Sequence, residues 1–138
     1  MSGPTQKPTP ILSAHGLVSI AVQAHGDVTV VSLRGELDSS SASMLRAYLS
    51  VIPRTASARV VADLADLAFI DSSGLAVLVG QRKRTQGHGG SFALAAPQAA
   101  IRRLLSTTGL LSWFEVHDTV AEALTGAREP AGSAACHR

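Results

Sequence analysis

The chain has 138 residues, of which 46% are hydrophobic and 16% are charged, and its formal net charge is +2. This length suits one globular domain with a single core. No stretch approaches the roughly 18 uninterrupted apolar residues that a membrane span needs. The first residues also lack the charged-then-apolar order of a secretory signal. We therefore expect a protein without membrane attachment that stays in the cytoplasm.

The composition also excludes several kinds of site. The single cysteine, Cys136, rules out an internal disulfide and a metal site built on thiolates. Basic residues are scattered apart from two short groups, residues 82–84 and 102–103, and this balance is too weak to indicate nucleic-acid binding. No glycine-rich phosphate loop and no cluster of metal ligands appears, so we expect no cofactor and no metal.

The first predicted elements form a β-hairpin. Residues 1–16 carry glycine, prolines and small polar residues without apolar periodicity, and they are predicted to be a flexible leader. The domain is predicted to span residues 17–126. Apolar residues alternate over residues 18–22 and again over residues 29–33, which predicts two strands with one buried face. Gly35 is expected to end the second strand.

A helix and a buried strand are predicted next. Asp38 and the three serines after it offer several caps for a helix that Pro53 should stop. The apolar face of this helix would consist of Leu45, Tyr48, Leu49 and Ile52. The following strand, from about residue 58 to residue 64, is almost continuously apolar, as expected of a central strand that is covered on both faces.

Helices and strands then alternate to the end of the domain. A helix is predicted from Ser73 to about Gln86, and a further helix opens at Pro97 and closes at Gly109. Thr119 and Glu122 have the spacing of a capping box at the start of a last helix. The remaining expectations are strands at residues 92–95 and 113–116, and a disordered tail at residues 127–138. This order predicts an α/β fold with a small, mixed, mostly parallel sheet, an N-terminal hairpin and about four helices.

Residues 69–75, Phe-Ile-Asp-Ser-Ser-Gly-Leu, lie where a predicted strand meets a predicted helix. Ser72 or Ser73 should occupy the N-cap of that helix. A helix start has unpaired N–H groups and the positive end of the helix dipole, so a serine there could carry a phosphate without melting the helix. The same residues are also explained by helix capping alone.

Two further motifs give the chain a resemblance to a known family. Residues 35–38 read Gly-Glu-Leu-Asp, and residues 106–110 read Ser-Thr-Thr-Gly-Leu. Together with residues 69–75 and the order of the elements, they make the chain resemble the STAS domain family, specifically its anti-sigma factor antagonists. The resemblance covers about residues 17–126, and it implies that Asp38 and Ser72 are neighbours.

The resemblance implies a partner switch. The unmodified protein would bind an anti-sigma factor that is also a serine kinase, and would thereby free a sigma factor. Phosphorylation of Ser72, or alternatively of Ser73, would end this binding until a serine phosphatase restored the protein. Asp38, Asp71, Ser72, Ser73 and Gly74 would form the partner-binding site. ATP would bind the kinase and not this chain.

Two other classes of function are compatible with parts of the same pattern. A hydrolase is not expected, because the serine turn lacks the leading glycine of the Gly-x-Ser-x-Gly pattern and no motif ties a histidine to Ser72. The chain is therefore predicted not to be an enzyme. The alternative is a STAS scaffold or adaptor subunit, in a stress-signalling complex or beside a lipid-transport ATPase, that works without phosphorylation.

Overall fold

The computed structural model describes residues 9–13, 16–50, 52 and 58–126. Within these ranges, strands and helices follow the predicted alternation. The elements are β1 (Thr9–Ser13), β2 (Gly16–His25), β3 (Val28–Leu37), α1 (Ser39–Ser50), β4 (Arg59–Ile70), α2 (Ser72–Gly87), β5 (Ser91–Ala95), α3 (Ala99–Thr107), β6 (Glu115–His117) and α4 (Val120–Gly126).

The strands form one sheet in which each strand pairs with its neighbours in the chain, in the order β1-β2-β3-β4-β5-β6. The pairs from β1 to β3 are antiparallel, and those from β3 to β6 are parallel. A two-residue turn joins β2 to β3, and Gly26 takes a φ of +65° there, which a residue with a side chain rarely adopts. The predicted α/β class, mixed sheet and N-terminal hairpin are confirmed.

One strand lies where the sequence pattern predicted no element. β1 pairs with β2 in antiparallel register, with Ile11 opposite Val18. The prediction missed this strand because an edge strand of five residues is too short to show a clear alternation. The predicted leader therefore contains a strand at Thr9–Ser13. The domain limits at residues 17 and 126 stay predictions, and the tail, Pro53 and the first eight residues lie outside the described part of the chain.

The β3–β4 pair is longer than predicted. Gly35 lies inside β3 and does not end it, and β4 continues past Leu64 to Ile70. The register shifts twice, between Ser32 and Arg34 and again between Gly35 and Glu36, with the extra residues on β4. A bulge depends on how β4 pairs with β3, and a run of apolar residues does not reveal this pairing, so the pattern predicts a strand that ends too early. Despite the two bulges, both strands finish together, with Leu37 opposite Ile70.

Helices cover both faces of the sheet. The larger core cluster joins α1, α2 and α3 to one face, with Leu45, Leu78 and Leu105 fully or almost fully buried against it. The smaller cluster packs Ala123 of α4 against Val30 and Val61 on the other face. The central strands are therefore apolar on both sides, as predicted for β4.

The last elements differ slightly from the prediction. The final strand is Glu115–His117, because the chain before it turns: the Phe114 N–H donates to the Leu110 carbonyl (2.9 Å). The cap of α4 is present as predicted, since the Glu122 N–H donates to Thr119 Oγ1 (3.0 Å). No helix among the described residues is long and apolar enough to cross a membrane.

Candidate functional site

The candidate site lies where β3 and β4 end. Because these strands are parallel and finish at the Leu37–Ile70 pair, Asp38 and Asp71 leave the sheet side by side. Each aspartate is followed directly by a helix, which begins at Ser39 in one case and at Ser72 in the other. The two motifs that the resemblance places together are therefore adjacent, at the carboxyl ends of parallel strands, where sites in α/β folds collect.

Asp71 connects both helices to the sheet. Its carboxylate accepts a hydrogen bond from the Gly74 N–H through Oδ1 (3.0 Å) and a second from the Ser39 N–H through Oδ2 (3.1 Å). Its own N–H donates to the Leu37 carbonyl (3.1 Å). We call these three bonds the Asp71 clamp. One side chain thus satisfies an unpaired N–H at the start of each helix and fixes the two starts relative to each other.

The predicted N-cap of α2 is wrong. The N-cap of α2 is Asp71, in extended conformation (φ −105°, ψ −174°), and is neither Ser72 nor Ser73. The carboxylate uses a separate oxygen for each helix start, whereas a serine hydroxyl has a single oxygen. The signal was present, because aspartate is as good an N-cap as serine. The bond to Ser39, 32 residues away in the chain, leaves no trace in local sequence.

Asp38 organises the start of α1. It is only 3% exposed, and its Oδ1 accepts from the N–H (3.0 Å) and the hydroxyl (2.6 Å) of Ser40. Its own N–H donates to Oγ of the buried Ser41 (3.2 Å). Its carbonyl accepts from the Ala42 N–H (2.9 Å), the first turn of the helix. The carboxylate of Asp38 therefore binds the first turn of its own helix.

Ser72 and Ser73 differ in exposure. Ser72 is the first residue of α2 and is exposed, whereas Ser73 is half-buried. Among the described residues, the Ser72 hydroxyl has no hydrogen-bond partner. The more accessible of the two hydroxyls is therefore the one that the sequence motif favours as phosphate acceptor.

Gly74 is buried against the ends of both strands. A Cβ at this position would lie 2.8 Å from Leu37 Cδ2 and 2.9 Å from Ile70 Cγ1, which is closer than real Cβ atoms approach. Because Gly74 has no side chain, the first turn of α2 packs directly on the strand ends, and the Gly74 N–H donates to Asp71 Oδ1. The close approach at Gly74 is thus to the chain's own core.

The basic residues of α2 lie away from its first turn. The basic group Arg82, Lys83 and Arg84 lies about 15 Å along α2 from Ser72, at 1.5 Å per residue. Arg82 packs over the Trp113 ring, with Cζ 4.1 Å from the ring centroid, and burial lowers the pKa of its guanidinium while Glu115 acts in the opposite direction. This cation–π contact was not predicted, because nothing in the sequence pairs the two residues. Phe69, three residues before Ser72 in the chain, is 46% exposed.

The described residues contain no group of three or more His, Cys, Asp or Glu that could hold a metal ion. Of the described histidines, His25 lies at the far end of the hairpin from the site, and His88 follows the end of α2. The ring of His117 contacts Glu115 (Nε2–Oε2 2.7 Å). No histidine of this set is bonded to Ser72.

Comparisons with known proteins show the family to which the chain belongs. The STAS domain model matches residues 19–123. An anti-sigma F factor antagonist of Paenibacillus polymyxa is 34% identical over 109 residues, covering 78% of this chain and 93% of its own. An anti-sigma-F factor antagonist of Mycobacterium tuberculosis is 29% identical over 117 residues, covering 85% and 95%. The crystal structure of an anti-sigma factor antagonist from Mycobacterium paratuberculosis superposes with a TM-score of 0.71 at 29% identity, covering 81% and 95%.

The chain therefore belongs to the STAS domain family and, within it, to the anti-sigma factor antagonists. Proteins of this class act by binding, so membership confirms the prediction that the chain is not an enzyme.

The first prediction concerns the Asp71 clamp. Asp71→Ala removes the acceptor of two helix-start N–H groups, and we expect a loss of about 2–4 kcal/mol in the free energy of unfolding. Asp66→Ala is the control, because Asp66 lies on the same strand but forms only an exposed ion pair with Arg34 (3.8 Å), which should contribute less than about 1 kcal/mol. Urea unfolding measures both values. Equal, small losses for the two variants would contradict the clamp.

The second prediction concerns Gly74. We expect Gly74→Ala to cost about 1–3 kcal/mol of stability, because the added methyl group overlaps Leu37 and Ile70. Gly80→Ala, in the same helix, places its methyl group in open space and should stabilise the protein by up to about 1 kcal/mol. Thermal unfolding of the two variants should therefore shift in opposite directions. A shift in the same direction would show that α2 does not pack as described.

Proposed function

We propose that this protein, in its unmodified form, binds an anti-sigma factor that is also a serine kinase, and that phosphorylation of Ser72 ends this binding. This binding frees the sigma factor from the anti-sigma factor. A serine phosphatase returns the protein to the binding form. Sigma factors and ATP both act in the cytoplasm, so the proposal places the protein there.

The observation that carries the proposal is the exposed, unengaged hydroxyl of Ser72 at the first position of α2. A kinase can reach this oxygen without unfolding any element. In the transfer, Ser72 Oγ attacks the γ-phosphorus of ATP bound to the kinase, the bond to the β-phosphate oxygen breaks, and ADP leaves. The hydroxyl proton passes to a base of the kinase. This chain contributes the acceptor and the surface that docks.

The fold should tolerate the phosphate. The group adds about −1.5 to −2 charges at neutral pH. Attraction to the helix start contributes about 0.3–1 kcal/mol in its favour. Asp71 is the nearest like charge, but two N–H groups already compensate its carboxylate. Since no hydrogen bond among the described residues depends on the Ser72 hydroxyl, its modification should leave the packing of α2 unchanged.

The complex should not tolerate the phosphate. Binding of the partner over the helix start would remove the dianion from water beside Asp71, with no cation of this chain within the first turns of α2. Burying an uncompensated charge costs several kcal/mol, and each 1.4 kcal/mol is a tenfold loss of affinity. Phosphorylation would therefore release the partner by electrostatic repulsion and desolvation, without unfolding this protein.

The proposed contact surface is smaller than the predicted set of site residues. Ser72 and Ser73 would contact the partner directly, and Phe69, exposed at the end of the preceding strand, would offer it an apolar contact. Asp38, Asp71 and Gly74 would act by positioning these groups, because their side chains or Cα atoms face the chain's own helix starts.

The third prediction separates the two candidate acceptors. Incubation with the cognate anti-sigma kinase and ATP should place one phosphate on the tryptic peptide of residues 60–82, which contains both serines. Ser72→Ala should abolish phosphate on this peptide, whereas Ser73→Ala should retain it. Mass spectrometry of the peptide gives the answer. Loss with Ser73→Ala and retention with Ser72→Ala would move the acceptor to Ser73.

The fourth prediction concerns release. Ser72→Glu should weaken binding of the anti-sigma factor by at least about tenfold, because a charge enters the interface. Ser72→Gln, of the same size but neutral, is the control and should bind more tightly than the glutamate variant. Calorimetric titration of both variants measures the difference. If the protein takes up no phosphate and charge at residue 72 does not change its affinity for the anti-sigma factor, the result would instead fit a STAS scaffold.

A further inference from the structure

The start of α1 repeats the start of α2. Residues 37–40 read Leu-Asp-Ser-Ser and residues 70–73 read Ile-Asp-Ser-Ser. The two apolar residues are register partners at the ends of adjacent parallel strands, and each aspartate precedes its helix. Ser39 is consequently the first residue of α1, as Ser72 is the first residue of α2. The fold therefore presents two serines in the same local setting, next to each other.

The three serines of α1's first turn are not equivalent. Ser41 is buried, and its Oγ accepts from the Asp38 N–H (3.2 Å). The Ser40 hydroxyl donates to Asp38 Oδ1 (2.6 Å). Ser39 is exposed, and its hydroxyl has no hydrogen-bond partner among the described residues. Of this run, Ser39 alone combines exposure with an unengaged nucleophile, as Ser72 does in α2.

The Asp71 clamp brings Ser39 to the same surface as Ser72. The Ser39 N–H donates to Asp71 Oδ2 (3.1 Å), and Ser72 is the residue that follows Asp71 in the chain. A kinase that docks over α2 to reach Ser72 therefore also covers the start of α1. Ser43, exposed in the same helix, lies a full turn further from the clamp.

We propose that Ser39 is a second phosphate acceptor, modified by the same ATP-dependent kinase that modifies Ser72. The inference rests on the proposed function, since it needs that kinase. The step balances in the same way: Ser39 Oγ forms a bond to the γ-phosphorus of ATP, the bond to the β-phosphate oxygen breaks, ADP leaves, and the hydroxyl proton passes to a base of the kinase.

The two acceptors should oppose each other. Both phosphates would lie beside the Asp71 carboxylate, and the two like charges would repel each other. A chain that carries phosphate on Ser72 is then a poor substrate at Ser39. Modification of Ser39 is expected mainly in chains whose Ser72 is unmodified, where it also disturbs docking. The site would thus have two positions at which a single phosphate blocks the partner.

The test uses the full chain, the cognate anti-sigma kinase and ATP, followed by tryptic digestion. Ser39 falls in the peptide of residues 35–46 and Ser72 in the peptide of residues 60–82, so mass spectrometry separates the two sites. The peptide of residues 35–46 should carry phosphate in the Ser72→Ala variant and lose it when Ser39→Ala is added. Adding Ser43→Ala instead should leave that phosphate in place.

The variants should keep the fold, because Ser39→Ala retains the backbone N–H that Asp71 binds, and circular dichroism with thermal unfolding checks this. Ser72→Glu should lower the phosphate on residues 35–46 below its level in Ser72→Ala. Phosphate on residues 60–82 of the native chain, with none on residues 35–46 even in long incubations of Ser72→Ala, would overturn this inference and leave the proposed function standing. Phosphate on residues 35–46 that survives Ser39→Ala would also overturn it. Absence of phosphate from both peptides in the native chain would overturn both.

Discussion

The site depends on the hydrogen bonds that the Asp71 carboxylate accepts. Asp71 accepts the N–H of Gly74 in its own helix and the N–H of Ser39 in another helix, while its backbone binds the end of β3. These bonds join two helix starts and two strand ends at one point. Helix starts otherwise leave several N–H groups without partners, and a carboxylate compensates both their hydrogen-bonding need and their partial positive charge. The position of Ser72 follows from this arrangement, since it is the next residue in the chain.

A rigid framework around an exposed hydroxyl is suited to a switch that works by charge. Asp38 and Gly74 are buried and Asp71 is half-buried, whereas Ser72 and Phe69 are exposed. A modification of the hydroxyl therefore changes what a partner meets and leaves the core contacts intact. Within residues 71–74, the aspartate and the glycine build the start of α2, and the first serine is exposed. Membership of the anti-sigma factor antagonists fits a protein that acts through such a surface.

The sequence predicted the features that depend on local pattern. Alternation identified the β2–β3 hairpin, helical spacing identified α1 and α2, and the strand-to-helix junction located Ser72. It failed where the structure depends on distant pairing. The apolar run predicts an end of β4 at Leu64, but the strand continues through two bulges to Ile70 because it stays paired with β3. The cap of α2 was assigned to serine because the second donor, on Ser39, becomes visible only once the strands are paired.

Amide hydrogen exchange at Ser39 and Gly74 tests the central claim most directly, because these two N–H groups report whether the Asp71 clamp is closed. Exchange would be followed by NMR in the unmodified protein and in the protein phosphorylated at Ser72, with affinity for the anti-sigma factor measured on the same samples. We predict that both amides stay protected after phosphorylation while the affinity falls. Loss of protection at these amides on phosphorylation would contradict the account, since release would then follow from opening of the helix starts and not from charge.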